Sequence, residues 1–172
     1  VIKGWARFVL FGLRVLCGVR VEVRGLEHRP EGPALIAGKH QGMLDVIAPF
    51  TFLSDPCFVM KKELMVLPFF GWFAARTNMI AVDRSAHAAA LKGPGAAPDY
   101  KPGIAALYRD LDCPCVPMAT NAGQHWPAHG FRRTPGTVVY EFLPPIPPGL
   151  KRAGFMARLE AELEAASTAL LD

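Results

Sequence analysis

Apolar residues along this chain fall into short blocks, and their spacing alternates between the period of a helix and that of a strand. Residues 1–18 are Val, Ile, Trp, Phe, Leu, Ala, Cys and Gly interrupted by Lys3, Arg7 and Arg14. On a helical wheel those three cations fall within about 40° of one another, so the segment predicts a greasy helix with one narrow basic stripe. Val19–Arg24 then alternates valine with charge, the pattern of an edge or half-exposed strand. Residues 25–33 read as a turn, and 34–38 as a short apolar strand that stops before Lys39-His40.

Further on, 45–53 predicts a helix with Asp45 near its start and Pro49 in its first turns. Residues 57–60 and 79–82 predict two more short strands, flanking the aromatic cluster Phe69, Phe70, Trp72 and Phe73. Ser85 opens a helix that halts within about two turns, at Gly93-Pro94-Gly95-Ala96-Ala97-Pro98. A helix over 103–111, strands over 115–119 and 137–142, a polyproline-like stretch over 144–148 and an amphipathic helix over 155–171 complete the chain. Strands alternating with helices predict an α/β fold, with a mostly parallel central sheet flanked by helices. No internal repeat is present.

At 172 residues the chain fits one domain with a sizeable core. Its 51% hydrophobic content and mean hydropathy of +0.21 exceed what a typical soluble domain carries. Yet the most apolar charge-free stretches, 46–54 and 64–75, are shorter than the roughly 20 residues of a membrane-spanning helix. A large core plus a membrane-facing surface reconciles the two, and residues 1–18 suit that surface. Lysine and arginine would reach lipid phosphates while Trp5, Phe8 and Phe11 enter the acyl boundary. A core-packing helix with three snorkelling cations is the alternative. The predicted organisation is therefore a membrane-associating helix over 1–18 and a second domain over 19–172.

The net charge of +4 and pI of about 9.0 fit anionic lipid or phosphorylated substrates. No nucleic-acid module or basic run with interleaved aromatics occurs, so nucleic acid is not expected as a partner. Four cysteines in a chain this size point to thiols in a reducing compartment. The first segment lacks a secretory pattern, and the chain opens on Val1, which leaves room for further N-terminal sequence.

His40 and Asp45 are the leading candidates for chemistry. A histidine at the C-terminal end of a strand stands where open α/β sheets place their sites. Imidazole is the usual base at neutral pH, and a carboxylate beside it fixes its tautomer. Five residues apart, the two are about 140° apart on a helix, so they meet only if a turn folds Asp45 back. On spacing alone, an unrelated surface histidine and helix-start aspartate is the simpler reading. Cys113, Cys115, His125 and His129 imitate a zinc order, but Cys115 runs into an apolar strand, and Pro127 and Gly130 disfavour the helix that would aim both histidines. No metal is expected. There is no Gly-x-Ser-x-Gly elbow, no Gly-x-Gly-x-x-Gly and no Walker pattern.

The neighbouring motifs change the weight of the pair. Lys39-His40-Gln41-Gly42-Met43-Leu44-Asp45 resembles the His-x-x-x-x-Asp block of the glycerolipid (lysophospholipid) acyltransferase family. Phe58-Val59-Met60-Lys61-Lys62-Glu63-Leu64, Pro68-Phe69-Phe70-Gly71-Trp72 and Met79-Ile80-Ala81-Val82-Asp83-Arg84 resemble its second block in order and spacing. Tyr100-Lys101-Pro102-Gly103, Cys115-Val116-Pro117-Met118 and Phe142-Leu143-Pro144-Pro145-Ile146 resemble later ones.

The resemblance implies that His40 removes the proton from an acceptor hydroxyl that attacks an acyl thioester, and that Asp45 orients it. It implies that Arg84 and Lys61, with Lys101, bind the acceptor's phosphate. It implies acyl-CoA or acyl carrier protein as donor, a lysophospholipid as acceptor, no cofactor, and a peripheral place on the cytoplasmic face of a bacterial inner membrane.

One block is missing. The family's Phe-Pro-Glu-Gly-Thr-Arg type segment belongs between Ser85 and Tyr100, where Leu91-Lys92 runs straight into Gly93. A natural deletion, an omitted segment and a defective copy all fit. The rival to an active enzyme is thus a catalytically impaired, membrane-bound relative that binds lipid or a partner.

Overall fold

The structure, a computed structural model, describes residues 2–61, 66, 79–82, 103–128 and 131–171, with 61, 81 and 82 described in the backbone. In chain order the elements are α1 (Ile2–Cys17), β1 (Val19–Arg24), a 3-10 turn (Leu26–His28), β2 (Leu35–Gly38), α2 (Leu44–Ile47) and α3 (Pro49–Phe52). They continue with β3 (Val59–Lys61), β4 (Ile80–Val82), α4 (Gly103–Leu111), β5 (Cys115–Thr120), α5 (Ala122–His125), β6 (Gly136–Phe142) and α6 (Arg152–Ala169). The chain forms two compact units, Val1–Phe52 with Tyr100–Asp172, and Leu53–Asp99.

The first unit is built on a four-stranded sheet of order β1-β6-β5-β2. β1–β6 and β2–β5 are parallel, and β5–β6 is antiparallel, with Met118 opposite Phe142 and Thr120 opposite Tyr140. In the second unit β3 and β4 pair in parallel. Among the described residues the strands therefore form two sheets where the pattern suggested one, and the predicted α/β class with a mostly parallel, helix-flanked sheet is what the molecule has.

Burial follows the strand positions. β5 is buried at all six residues, as a strand covered on both faces should be. β1, at the edge, alternates between inside and outside, as its valine–charge alternation predicts. One face of the sheet carries α4 and α6. Phe155, Leu159 and Leu163 recur every fourth residue on α6 and are fully buried with Ala105, Tyr108, Cys115 and Ile146. Each such large side chain contributes about 1.5–3 kcal/mol by leaving water. Tyr108 stacks on Phe155 at 3.8 Å between centroids. Its hydroxyl donates to the Pro147 carbonyl and accepts from the Leu150 amide, so its polar end is satisfied. Phe52 of α3 packs on Tyr140 and Phe142 of β6.

The helix predicted over 45–53 is two short pieces. Pro49 has no N–H to offer Asp45, so the ladder that begins at Leu44 ends at the Ala48 N–H, which bonds the Leu44 carbonyl at 2.9 Å. A fresh turn then starts at Pro49, whose fixed φ suits a first helical position.

α1 has three sides. Ala6 and Leu13 are buried, where the helix meets β1 and α3. Lys3, Arg7 and Arg14 are exposed along the basic stripe. Trp5, Phe8, Phe11, Val15 and Leu16 are exposed too, Leu16 at 84%, and they occupy an arc of about 140° beside the stripe. Among the described residues no helix is long and apolar enough to cross a membrane.

Candidate active site

The loop between β2 and α2 carries the pair. β2 and β5 run parallel, so the end of β2 that delivers His40 lies beside the end of β5 at Thr120. After Gly38 the chain turns sharply, and the Asp45 carboxylate makes the turn. Its Oδ2 accepts the Gln41 amide at 2.6 Å and the Gly42 amide at 2.9 Å. Its Oδ1 accepts the Tyr140 hydroxyl at 3.2 Å. This back-bonding supplies the fold-back that five-residue spacing demands, and it brings His40 Nδ1 to 3.5 Å from Asp45 Oδ2. That is ion-pair distance rather than a tight hydrogen bond. The His40 side chain is 67% exposed while Asp45 is 11% exposed. The carboxylate is thus largely buried and held by three donors, and the imidazole beside it is exposed.

The loop is tied down on several sides. The Gln41 side chain spans from loop to sheet: its Nε2 donates to the Thr120 carbonyl at 2.8 Å, and its Oε1 accepts the Gly123 amide at 2.7 Å. Lys39 forms an ion pair with Glu164 of α6. Gly42 lies against the Trp126 carbonyl so closely that any Cβ would collide with it, which leaves glycine as the residue that fits. Trp126 in turn carries the Arg133 guanidinium 4.0 Å above its ring.

Tyr140 is fully buried on β6. Burial, and after it the Asp45 charge, raise its hydroxyl above the ordinary tyrosine range, so it remains an O–H donor at physiological pH. Cys115 is a core thiol, pushed up to about 12 chiefly by burial. It sits in the cluster under α6, away from the residues that tie the loop.

The structure thus brings His40 and Asp45 together. Lys61 ends β3 in the second unit, and its side chain lies outside the described residues, as do Arg84 and Lys101. The position of the missing Phe-Pro-Glu-Gly-Thr-Arg type block, between Ser85 and Tyr100, lies there as well.

Three residues of the site carry no motif signal: Gln41's side chain, Thr120 and Tyr140. Tyr140 had one cue in the sequence. Val138, Tyr140 and Phe142 share a face of a buried strand, and a hydroxyl on such a face needs a partner.

Residues 20–97 match the family model described as Acyltransferase. The matched stretch includes His40, Asp45, Lys61 and Arg84, and the likeness to single proteins extends beyond it. The chain is 35% identical over 163 residues to the 1-acyl-sn-glycerol-3-phosphate acyltransferase of Pseudomonas aeruginosa, covering 80% of this chain and 63% of that relative. It is 32% identical over 81 residues to the enzyme of that name from Saccharomyces cerevisiae, 46% of this chain and 27% of the relative. The chain therefore spans less than two thirds of either relative's length. The crystal structure of the 1-acyl-sn-glycerophosphate (LPA) acyltransferase from Thermotoga maritima superposes with a TM-score of 0.75 at 17% identity, over 98% of this chain and 78% of that one. The chain thus has that protein's fold.

Proposed function

We propose that this protein transfers a fatty acyl group from acyl-CoA or acyl carrier protein to 1-acylglycerol 3-phosphate, yielding phosphatidic acid for phospholipid synthesis. The observation that carries the proposal is the largely buried Asp45 carboxylate, held by three donors and facing Nδ1 of an exposed His40. With Nδ1 turned to the carboxylate, Nε2 holds the lone pair and takes the proton of the acceptor hydroxyl. The hydroxyl oxygen attacks the thioester carbonyl carbon, the C–S bond breaks, and the departing thiolate recovers the proton from His40. Asp45 stabilises the imidazolium in between. Because the thioester is already activated, the reaction asks for no cofactor. Arg84, Lys61 and Lys101 are assigned to the acceptor's phosphate, a role that suits cations with several donors.

The same proposal places the protein peripherally on the cytoplasmic face of a bacterial inner membrane. The exposed apolar arc and basic stripe of α1 support that place. The test is thioester-dependent acylation of lysophosphatidate by the parent and by His40→Ala. Turnover in the parent that falls by at least about a hundredfold in the variant is the expected result. A folded parent without turnover would establish the impaired-relative reading, which the missing block favours.

A further inference from the structure

Asp45 has two carboxylate oxygens, and they are held differently. Oδ2 is committed to two loop amides and to His40, all within the same six-residue stretch. Oδ1 is held from elsewhere, by the hydroxyl of Tyr140, 95 residues further along the chain. The two oxygens interconvert by rotation about one side-chain bond whose profile is broad. Two amides converging on a single oxygen fix that oxygen's position and leave the plane of the carboxylate to be set by its other end. Tyr140 sets it.

Tyr140 itself has little freedom. Its ring is buried and packs on Phe52 at 5.4 Å between centroids, and its backbone lies opposite Thr120 in the β5–β6 ladder. The Thr120 carbonyl holds Gln41, the neighbour of His40. One register pair in the sheet therefore anchors both ends of the site loop: Thr120 through the Gln41 amide, Tyr140 through the Asp45 carboxylate.

We propose that Tyr140 is a positioning residue, whose hydroxyl fixes the plane of the Asp45 carboxylate so that Oδ2 stays directed at His40 Nδ1. This rests on the reading of His40 as the base, and it extends the site to a residue outside the acyltransferase-family match of 20–97. The hydroxyl is suited to the task because burial keeps it protonated and hence a donor at physiological pH.

The experiment compares the parent, Tyr140→Phe, Asp45→Asn and the double variant, each checked by thermal melting. Phenylalanine keeps the ring that packs on Phe52 and removes the hydroxyl alone. The tautomer of the His40 ring is read from its nitrogen chemical shifts by NMR, and acyl transfer is assayed in parallel. Asp45→Asn removes the charged acceptor facing Nδ1 and moves the neutral ring toward the Nε2–H tautomer. If Tyr140 acts through Asp45, Tyr140→Phe moves the tautomer balance in the same direction by part of that amount. It lowers kcat about fivefold to tenfold with KM unchanged. The double variant behaves as Asp45→Asn alone.

A tautomer balance unchanged by Tyr140→Phe while Asp45→Asn shifts it overturns the proposal, as does a shift the other way. So does an additive further loss in the double variant, which would mark a purely structural tyrosine. The tautomer reading needs no turnover. A parent that shows the coupled shifts but no acyl transfer would remove the enzymatic reading and leave the positioning role standing.

Discussion

Gly42→Ala is the sharpest probe of how the site loop is held. The added Cβ would overlap the Trp126 carbonyl oxygen by about 1 Å and would stand 3.6 Å from its carbonyl carbon and 3.7 Å from the Ala128 nitrogen. Every one of these atoms is backbone, so no side chain can swing aside. Trp126 is also fixed from behind, its amide bonded to the Ala122 carbonyl at 2.8 Å. The loop itself must move, and its movement stretches the 2.9 Å bond from the Gly42 amide to Asp45. Forced overpacking costs about 1–3 kcal/mol, and a hydrogen bond to a charged group contributes about 1.5–3 kcal/mol. Losing part of the second adds to the first, for a total of about 2–4 kcal/mol. In a chain of this size that lowers the melting temperature by about 5–15 °C.

Gly154→Ala is the matched control. Gly154 lies in the first turn of α6 with nothing within 4 Å of its virtual Cβ, and alanine is the better helix former. Its melting temperature should rise by about 2 °C. Thermal unfolding followed by circular dichroism reads both. A Gly42→Ala protein that melts within about 2 °C of the parent would refute the tight loop–turn contact.

Two further outcomes are expected. Cys115 has a folded value of about 12 against an ordinary 9.0, so the folded state keeps its proton where the unfolded state loses it. Its contribution is complete below pH 9 and is lost as pH rises from there through about 12; denaturant unfolding should show a fall in stability over that window that Cys115→Ala lacks. For α1, replacing the exposed Phe8, Phe11 and Leu16 by serine should abolish sedimentation with anionic liposomes while leaving the melting temperature within a few degrees, and unchanged sedimentation would sink the interfacial role.

Period-based reading reached the elements whose burial is one-sided or complete. β1, α4 and β6 stand where alternation and apolar runs put them, within a residue at either end. It failed where a backbone detail outranks periodicity: the helix over 45–53 breaks because Pro49 lacks a donor. Strand order was not legible, since nothing local in β5 says that its neighbours are β2 on one side and an antiparallel β6 on the other. The same division applies to the site. His40 and Asp45 stand close in sequence and within a motif, so they could be named. Thr120 and Tyr140 enter the site through pairing across the sheet, so which loop residues they hold emerges only from the fold.

The ties that shape the loop also set when it can take shape. Gln41 waits for partners 79 and 82 residues further along, and Asp45 for one 95 residues further along. On the ribosome, the histidine loop emerges before β5 and β6 and is still unanchored. Only after β6 has been made does the carboxylate acquire its third donor. The order of synthesis thus puts His40 and Asp45 ahead of the strands that tie their loop, and a chain cut short before β6 holds both residues without the contacts that bring them together.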